Sequence, residues 1–151
     1  MRKVVTFTPE GHTKLKAEYD ELNAGRPAVV AELTRARDLG DRSENGAYKA
    51  ARWKLSGLDR RLRELKRALD AAQIVAKPTS GVIGLGSSVK LTQGALELNV
   101  TIVGGYEVDL AAGKLSHFSP LGKTLLGHKT GETVQVHTPA GLKEYYIASV
   151  A

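Results

Sequence analysis

The chain has 151 residues, 42% of them hydrophobic and 25% charged, with no cysteine and a net charge of +6. This composition excludes disulfides, thiolate metal sites and cysteine nucleophiles, and it is unlike that of a disordered or fibrous chain. No apolar run approaches the roughly 18 residues of a membrane span, and Met1–Thr8 has no signal-peptide core, so a cytoplasmic protein with no membrane association is expected.

The charge is confined to one half. Residues 1–77 carry 17 Lys and Arg against 11 Asp and Glu, whereas residues 78–151 carry five of each. The breaker cluster Lys77-Pro78-Thr79-Ser80-Gly81 lies at the same place, and 11 of the 16 glycines follow Thr79. Two domains are predicted, 1–77 and 78–151, in an α+β chain.

Thr8-Pro9-Glu10 reads as a helix start: a capping hydroxyl, a proline where no N–H is needed, and a carboxylate at the positive end of the helix. Leu15, Tyr19, Leu22, Val29, Val30, Leu33 and Ala36 then share one face at 100° per residue. Gly25-Arg26-Pro27 interrupts this stripe without shifting its phase, which predicts a kinked helix rather than two helices. A second helix is predicted from about Glu44 to Ile74, with Ala51, Leu55, Leu58, Leu62, Leu65 and Leu69 on one face. Two such stripes joined by a short turn make an antiparallel coiled-coil hairpin, with arms of roughly 45 Å at 1.5 Å per residue.

The second half changes period. Val89–Leu91, Leu96–Val103, Val134–His137 and Tyr145–Val150 read as short strands, with Thr138-Pro139-Ala140-Gly141 turning between the last two. Pro120–Gly127 reads as one short helical turn with Leu121, Leu125 and Leu126 inward. Gly84-Leu85-Gly86 precedes a strand rather than a helix, so it reads as a turn and not a dinucleotide loop. The histidines at 12, 117, 128 and 137 have no ligand spacing.

Chemistry concentrates on the first half. The hairpin turn, Leu39-Gly40-Asp41-Arg42-Ser43-Glu44-Asn45, sets Asp41 and Glu44 three apart. On pattern alone that spacing reads first as a capping box; the sharper reading is two carboxylates at the end of a rod, placed for delivery into another molecule's site. Lys49, Arg52, Arg60, Arg63 and Arg67 lie within about 80° of arc opposite the leucine stripe. Residues 49–67 hold eight basic residues against Asp59 and Glu64, a one-signed stripe suited to phosphates rather than an ordinary solvated face. Trp53 lies beside this stripe, either as an anchor for a base or protein partner or as a ring resting on the basic stems.

Gly40-Asp41-Arg42-Ser43-Glu44-Asn45 followed by Tyr48 resembles the acidic tip of the bacterial Gre transcript cleavage factors. The resemblance extends through Arg26-Pro27, Ile74-Val75, Ile102-Val103-Gly104, Ser119-Pro120-Leu121, Leu126-Gly127 and Thr138-Pro139-Ala140-Gly141. Gly46 stands where the family more often has alanine. The resemblance implies a helical hairpin followed by an FKBP-like domain that binds bacterial RNA polymerase, with the hairpin in the secondary channel. It implies stimulated hydrolysis of the RNA 3' end in backtracked complexes, with the protein a monomer and not itself an enzyme.

By the same resemblance, Asp41 and Glu44 help hold a Mg²⁺ shared with the polymerase active site and not tightly bound otherwise. Ser43 and Asn45 shape the tip, Tyr48 supports it, the basic stripe meets extruded nascent RNA, and Ser119 and Pro120 contact the polymerase. The alternatives are a Gre-like channel inhibitor without cleavage, a nucleic-acid-binding coiled coil, and an FKBP-like isomerase or chaperone. The last needs a proline pocket made from Tyr106, Phe118, Tyr145 and Tyr146.

Overall fold

The computed structural model describes residues 3–39 and 45–151. Two compact units emerge. One is Thr13–Ala71; the other brings the segment ending at His12 together with Ala72–Ala151.

The first unit is a helical hairpin. Helix α1 (Pro9–Arg37) passes through Pro27 as one element, and helix α2 is Gly46–Asp70. The α1 stripe is buried or half-buried at each predicted position, with Leu15 and Ala36 innermost, and α2 buries Ala51, Leu62, Leu65 and Ala68. Ion pairs fix the antiparallel register. Glu18 meets Arg61, Arg26 meets Asp59, and Glu32 meets Lys54, so each step toward the turn on one helix is matched on the other. The arginine pairs are two-pronged, at 2.7 and 3.2 Å for Arg26–Asp59 and 2.9 and 3.1 Å for Arg61–Glu18. Such solvent-screened pairs contribute little to stability, so the apolar seam stabilises the hairpin and the ion pairs align it.

Helix α2 ends at Asp70, short of the predicted Ile74. Ala72–Ile74 is instead strand β2, paired in parallel with β1 (Val5–Phe7), Val5 opposite Ala72 and Phe7 opposite Ile74. The apolar run continues past Asp70, but the partner that makes it a strand lies near the other end of the chain. For the same reason the compact units are not cut at Lys77. The segment ending at His12 and residues 72–77 belong with the second unit.

That unit contains a five-stranded sheet, ordered β5-β4-β3-β7-β6. Its strands are β3 (Ser88–Gln93), β4 (Leu96–Val103), β5 (Lys114–Ser116), β6 (Thr133–Thr138) and β7 (Gly141–Val150). All neighbours are antiparallel except β4 and β5. Alternate residues Val89 and Leu91, Val134 and Val136, and Tyr145 and Ile147 enter the core, where Leu125 of helix α3 (Pro120–Leu125) joins them.

Within this unit Glu107, on a short 3-10 turn, holds the segment that ends at His12. Its carboxylate accepts from the backbone N–H of Thr8 (2.9 Å) and of Gly104 (3.1 Å) and from the Thr8 hydroxyl. The Thr8 hydroxyl in turn accepts from the Gly11 N–H, capping the helix as predicted. Gly104 is required by space: a Cβ there would stand 2.0 Å from the backbone oxygen of Thr6. Gly104→Ala is expected to cost about 1 to 3 kcal/mol through overpacking, read as a lowered denaturation midpoint. An unchanged midpoint would mean that β1 shifts freely.

Candidate functional site

Among the described residues, Asn45 links the two helix ends of the hairpin. Asn45, extended at φ −81° and ψ 100°, caps α2 by accepting from the Tyr48 N–H at 3.1 Å. Its amide nitrogen donates to the Ala36 carbonyl at 2.6 Å, near the end of α1. A single amide therefore bridges the two helix ends, satisfying the Tyr48 N–H on one and adding to an Ala36 carbonyl that also accepts from the Leu39 N–H (3.2 Å) on the other. The residue that caps α2 is Asn45; the capping-box expectation falls on other residues of the turn. Asp41, Ser43 and Glu44 themselves lie outside the described residues. Tyr48 is half-buried in the first turn of α2.

Replacing Asn45 with alanine is expected to cost about 1 to 2 kcal/mol, because the cap and the contact to Ala36 are lost together. Asn45→Asp should recover part of this, keeping the acceptor and losing the donor. Chemical denaturation followed by helical circular dichroism measures both, and equal stability of Asn45→Ala and the parent would refute the bridging role.

Lys49, Arg52, Arg60, Arg63 and Arg67 are all exposed on α2. The two carboxylates within 49–67 are engaged elsewhere, Asp59 with Arg26 and Glu64 with Arg61. The hydrogen bond from Arg26 holds the Asp59 carboxyl below its ordinary value, and the charges of Arg26 and Arg63 act in the same direction. Among the described residues, Lys49, Arg52, Arg60 and Arg67 form no ion pair. Within 49–67 the stripe is thus a line of cations whose two carboxylates are already committed, which suits an external polyanion. Trp53 beside it is 80% exposed.

On the second unit, Ser119 has a local task. Its hydroxyl accepts from the Gly122 N–H (3.1 Å), capping α3, and donates to the Ser116 carbonyl (2.7 Å). Pro120 follows in the first turn, exposed. The residue these geometries present outward is Phe118, 69% exposed, with its ring 3.9 Å from that of His117 between centroids. Partial burial holds the His117 imidazole below its ordinary value. Sequence reasoning passed over Phe118 as a surface residue because a lone aromatic before a cap has no period to reveal which way it faces.

The aromatics required for a proline pocket are dispersed. Tyr145 is in the core, Tyr146 faces the other side of β7, and Tyr106 lies against Phe7 at 6.0 Å. His128 pairs with Glu132, and His12 meets Phe7 edge-on. Among the described residues, no three His, Cys, Asp or Glu side chains are grouped to hold a metal, and no helix is long and apolar enough to cross a membrane.

Two family models cover nearly the whole chain. Residues 5–74 match the family model of the transcription elongation factor N-terminal domain, and residues 77–151 match the GreA/GreB C-terminal domain. Transcription elongation factor GreA of Rhodospirillum rubrum is 37% identical over 151 residues, covering 97% of this chain and 96% of that one. GreA of Thermomicrobium roseum is 37% identical over 145 residues, covering 93% and 92%. Among solved structures, that of the transcription factor Gfh1 matches with a TM-score of 0.50 at 27% identity, covering 99% of both chains. A helical hairpin followed by a small α+β domain, matched along nearly its whole length, places the chain in the GreA/GreB family of bacterial transcription elongation factors.

Proposed function

We propose that this protein rescues backtracked RNA polymerase by inserting its hairpin into the secondary channel and stimulating the polymerase to hydrolyse the RNA 3' end. The observation that carries this reading is the Asn45 bridge. Because Asn45 caps α2 and holds the end of α1, closing the turn does not require Asp41 or Glu44 as a cap. Two carboxylates in the turn sequence of a long hairpin, beside an asparagine that already supplies the cap, suit delivery to another site.

Oxygen donors of this kind fit Mg²⁺, which is commonly held by one or two carboxylates together with water and phosphate. Asp41 and Glu44 would hold it jointly with the polymerase. Its chemistry there is charge stabilisation of phosphodiester oxygens and a more acidic bound water. Two carboxylates alone bind such an ion weakly, so the factor is not an enzyme on its own. The basic face of α2 would track the phosphates of the extruded RNA, and the surface around Phe118, Ser119 and Pro120 would dock on the polymerase. The protein acts in the cytoplasm as a monomer and not on a membrane.

The test is to add purified protein to a backtracked bacterial elongation complex and follow RNA length. Faster shortening than with polymerase alone, and none with RNA alone, is the expected result. Slowed nucleotide addition without shortening would establish the channel-inhibitor alternative instead.

A further inference from the structure

Neither packing within the chain nor the metal role proposed above uses Trp53. Its indole is 80% exposed, whereas tryptophan is highly buried on average. Helical side chains lean toward the N-terminus, so the groups that would cover Trp53 are those three and four residues later. These are Ser56 and Gly57, and a Cβ added at Gly57 would meet nothing within 4 Å. Glycine is unfavourable inside a helix, and no close approach of the chain requires it at this position. Its effect is to leave the indole uncovered.

Cations flank the open ring. Lys49 is one turn before Trp53, Arg52 is adjacent, and Arg60 is two turns beyond on the same face. All three are exposed and form no ion pair among the described residues. An aromatic face set among unpaired cations is the arrangement by which proteins hold single-stranded nucleic acid without reading its sequence.

We infer that Trp53 is a stacking platform for one unpaired base of single-stranded RNA, with Lys49, Arg52 and Arg60 on the adjoining phosphates. The inference rests on the reading of α2 as an RNA-tracking face and adds a base-dependent contact to it. Phosphate contacts alone let a strand slide; a stacked base fixes its position along the helix. The one-signed surroundings favour a polyanion over a protein wall as the occupant.

Trp53 is the chain's sole tryptophan, so its fluorescence reports the contact directly. The full-length protein is titrated at low ionic strength with a single-stranded RNA oligonucleotide of about ten residues, and in parallel with an abasic oligonucleotide of the same length. The base-bearing strand is expected to quench the emission and the abasic strand to leave it unchanged. Followed by anisotropy of labelled RNA, Trp53→Ala should bind the base-bearing strand roughly 5- to 100-fold more weakly than the parent. It should bind the abasic strand equally well, and Trp53→Phe should recover part of the loss.

Equal binding by Trp53→Ala and the parent, identical quenching by both strands, or no quenching at saturation would each overturn the platform. An emission shift caused by polymerase core without RNA would place the indole against protein and also overturn it. Quenching by a protein that does not shorten RNA in backtracked complexes would sink the cleavage role and leave the platform intact. Cleavage activity with an emission indifferent to RNA would do the reverse.

Discussion

Asp41→Ala and Glu44→Ala are each expected to lower stimulated RNA cleavage by about a hundredfold or more, with little change in fold. The size follows from the role proposed for them. Outer-shell partners of metal ligands already cost 10- to 100-fold when removed, and a direct ligand should cost at least as much. Stability should hold because Asn45 caps α2, so neither substitution deletes the cap. Raising magnesium should restore part of the activity, since the defect is one of ion affinity rather than of docking. Cleavage kinetics at limiting and excess magnesium, with circular dichroism as a control for folding, measure both effects. Parental cleavage rates in either variant at limiting magnesium would remove the carboxylates from the mechanism.

The same substitutions separate cleavage from occupancy. A variant that loses its carboxylates keeps the hairpin seam and the surface around Phe118 and Pro120, so it should still compete with the parent for polymerase. Loss of competition together with loss of cleavage would point instead to a tip that serves docking.

How much of this was legible depended on whether the cause of each feature is local. Thr8-Pro9-Glu10 announces α1 because capping, proline geometry and helix polarity all act within one turn. The stripes of α1 and α2 and the alternation of β4, β6 and β7 are likewise written into neighbouring residues. Ala72–Ile74 was unreadable as a strand because only Val5–Phe7, far away along the chain, makes it one. Strand β5 is three residues long and pairs in parallel with β4, so it has neither length nor a hairpin turn to mark it. Glu107 is the clearest miss. It is an isolated acid on a short turn, and its importance lies entirely in reaching Thr8 and Gly104.

The candidate site divides in the same way. The one-signed stripe could be read because helical spacing and charge are both sequence properties. What it lacked was the fate of Asp59 and Glu64, which the structure commits to Arg26 and Arg61. Asn45 was expected to shape the tip, but its reach back to Ala36 requires the closed hairpin. The strand pairing also changes how the chain should be dissected. A fragment beginning at residue 78 would lack both β1 and β2 and the Glu107 contact to Thr8, so isolated halves cut there would test folding rather than division of labour.

The basic face makes the second large prediction. Replacing Arg52, Arg60 and Arg63 together with alanine should weaken cleavage most for deeply backtracked complexes, because a longer extruded RNA reaches farther along α2. Short backtracks engage only the end near the turn and should be nearly spared. In the proposed role the three residues act through phosphates, so the parent's advantage should shrink as salt rises. For single-stranded RNA, three lost contacts reduce the log–log salt dependence of binding by roughly 2. Stability should change little, since all three are exposed and none forms an ion pair among the described residues. Cleavage rates at several backtrack lengths and at two salt concentrations test the claim. A loss uniform across lengths and indifferent to salt would reduce the stripe to a solvated face, because repulsion among cations or a solubility role has no means of sensing how much RNA has been extruded.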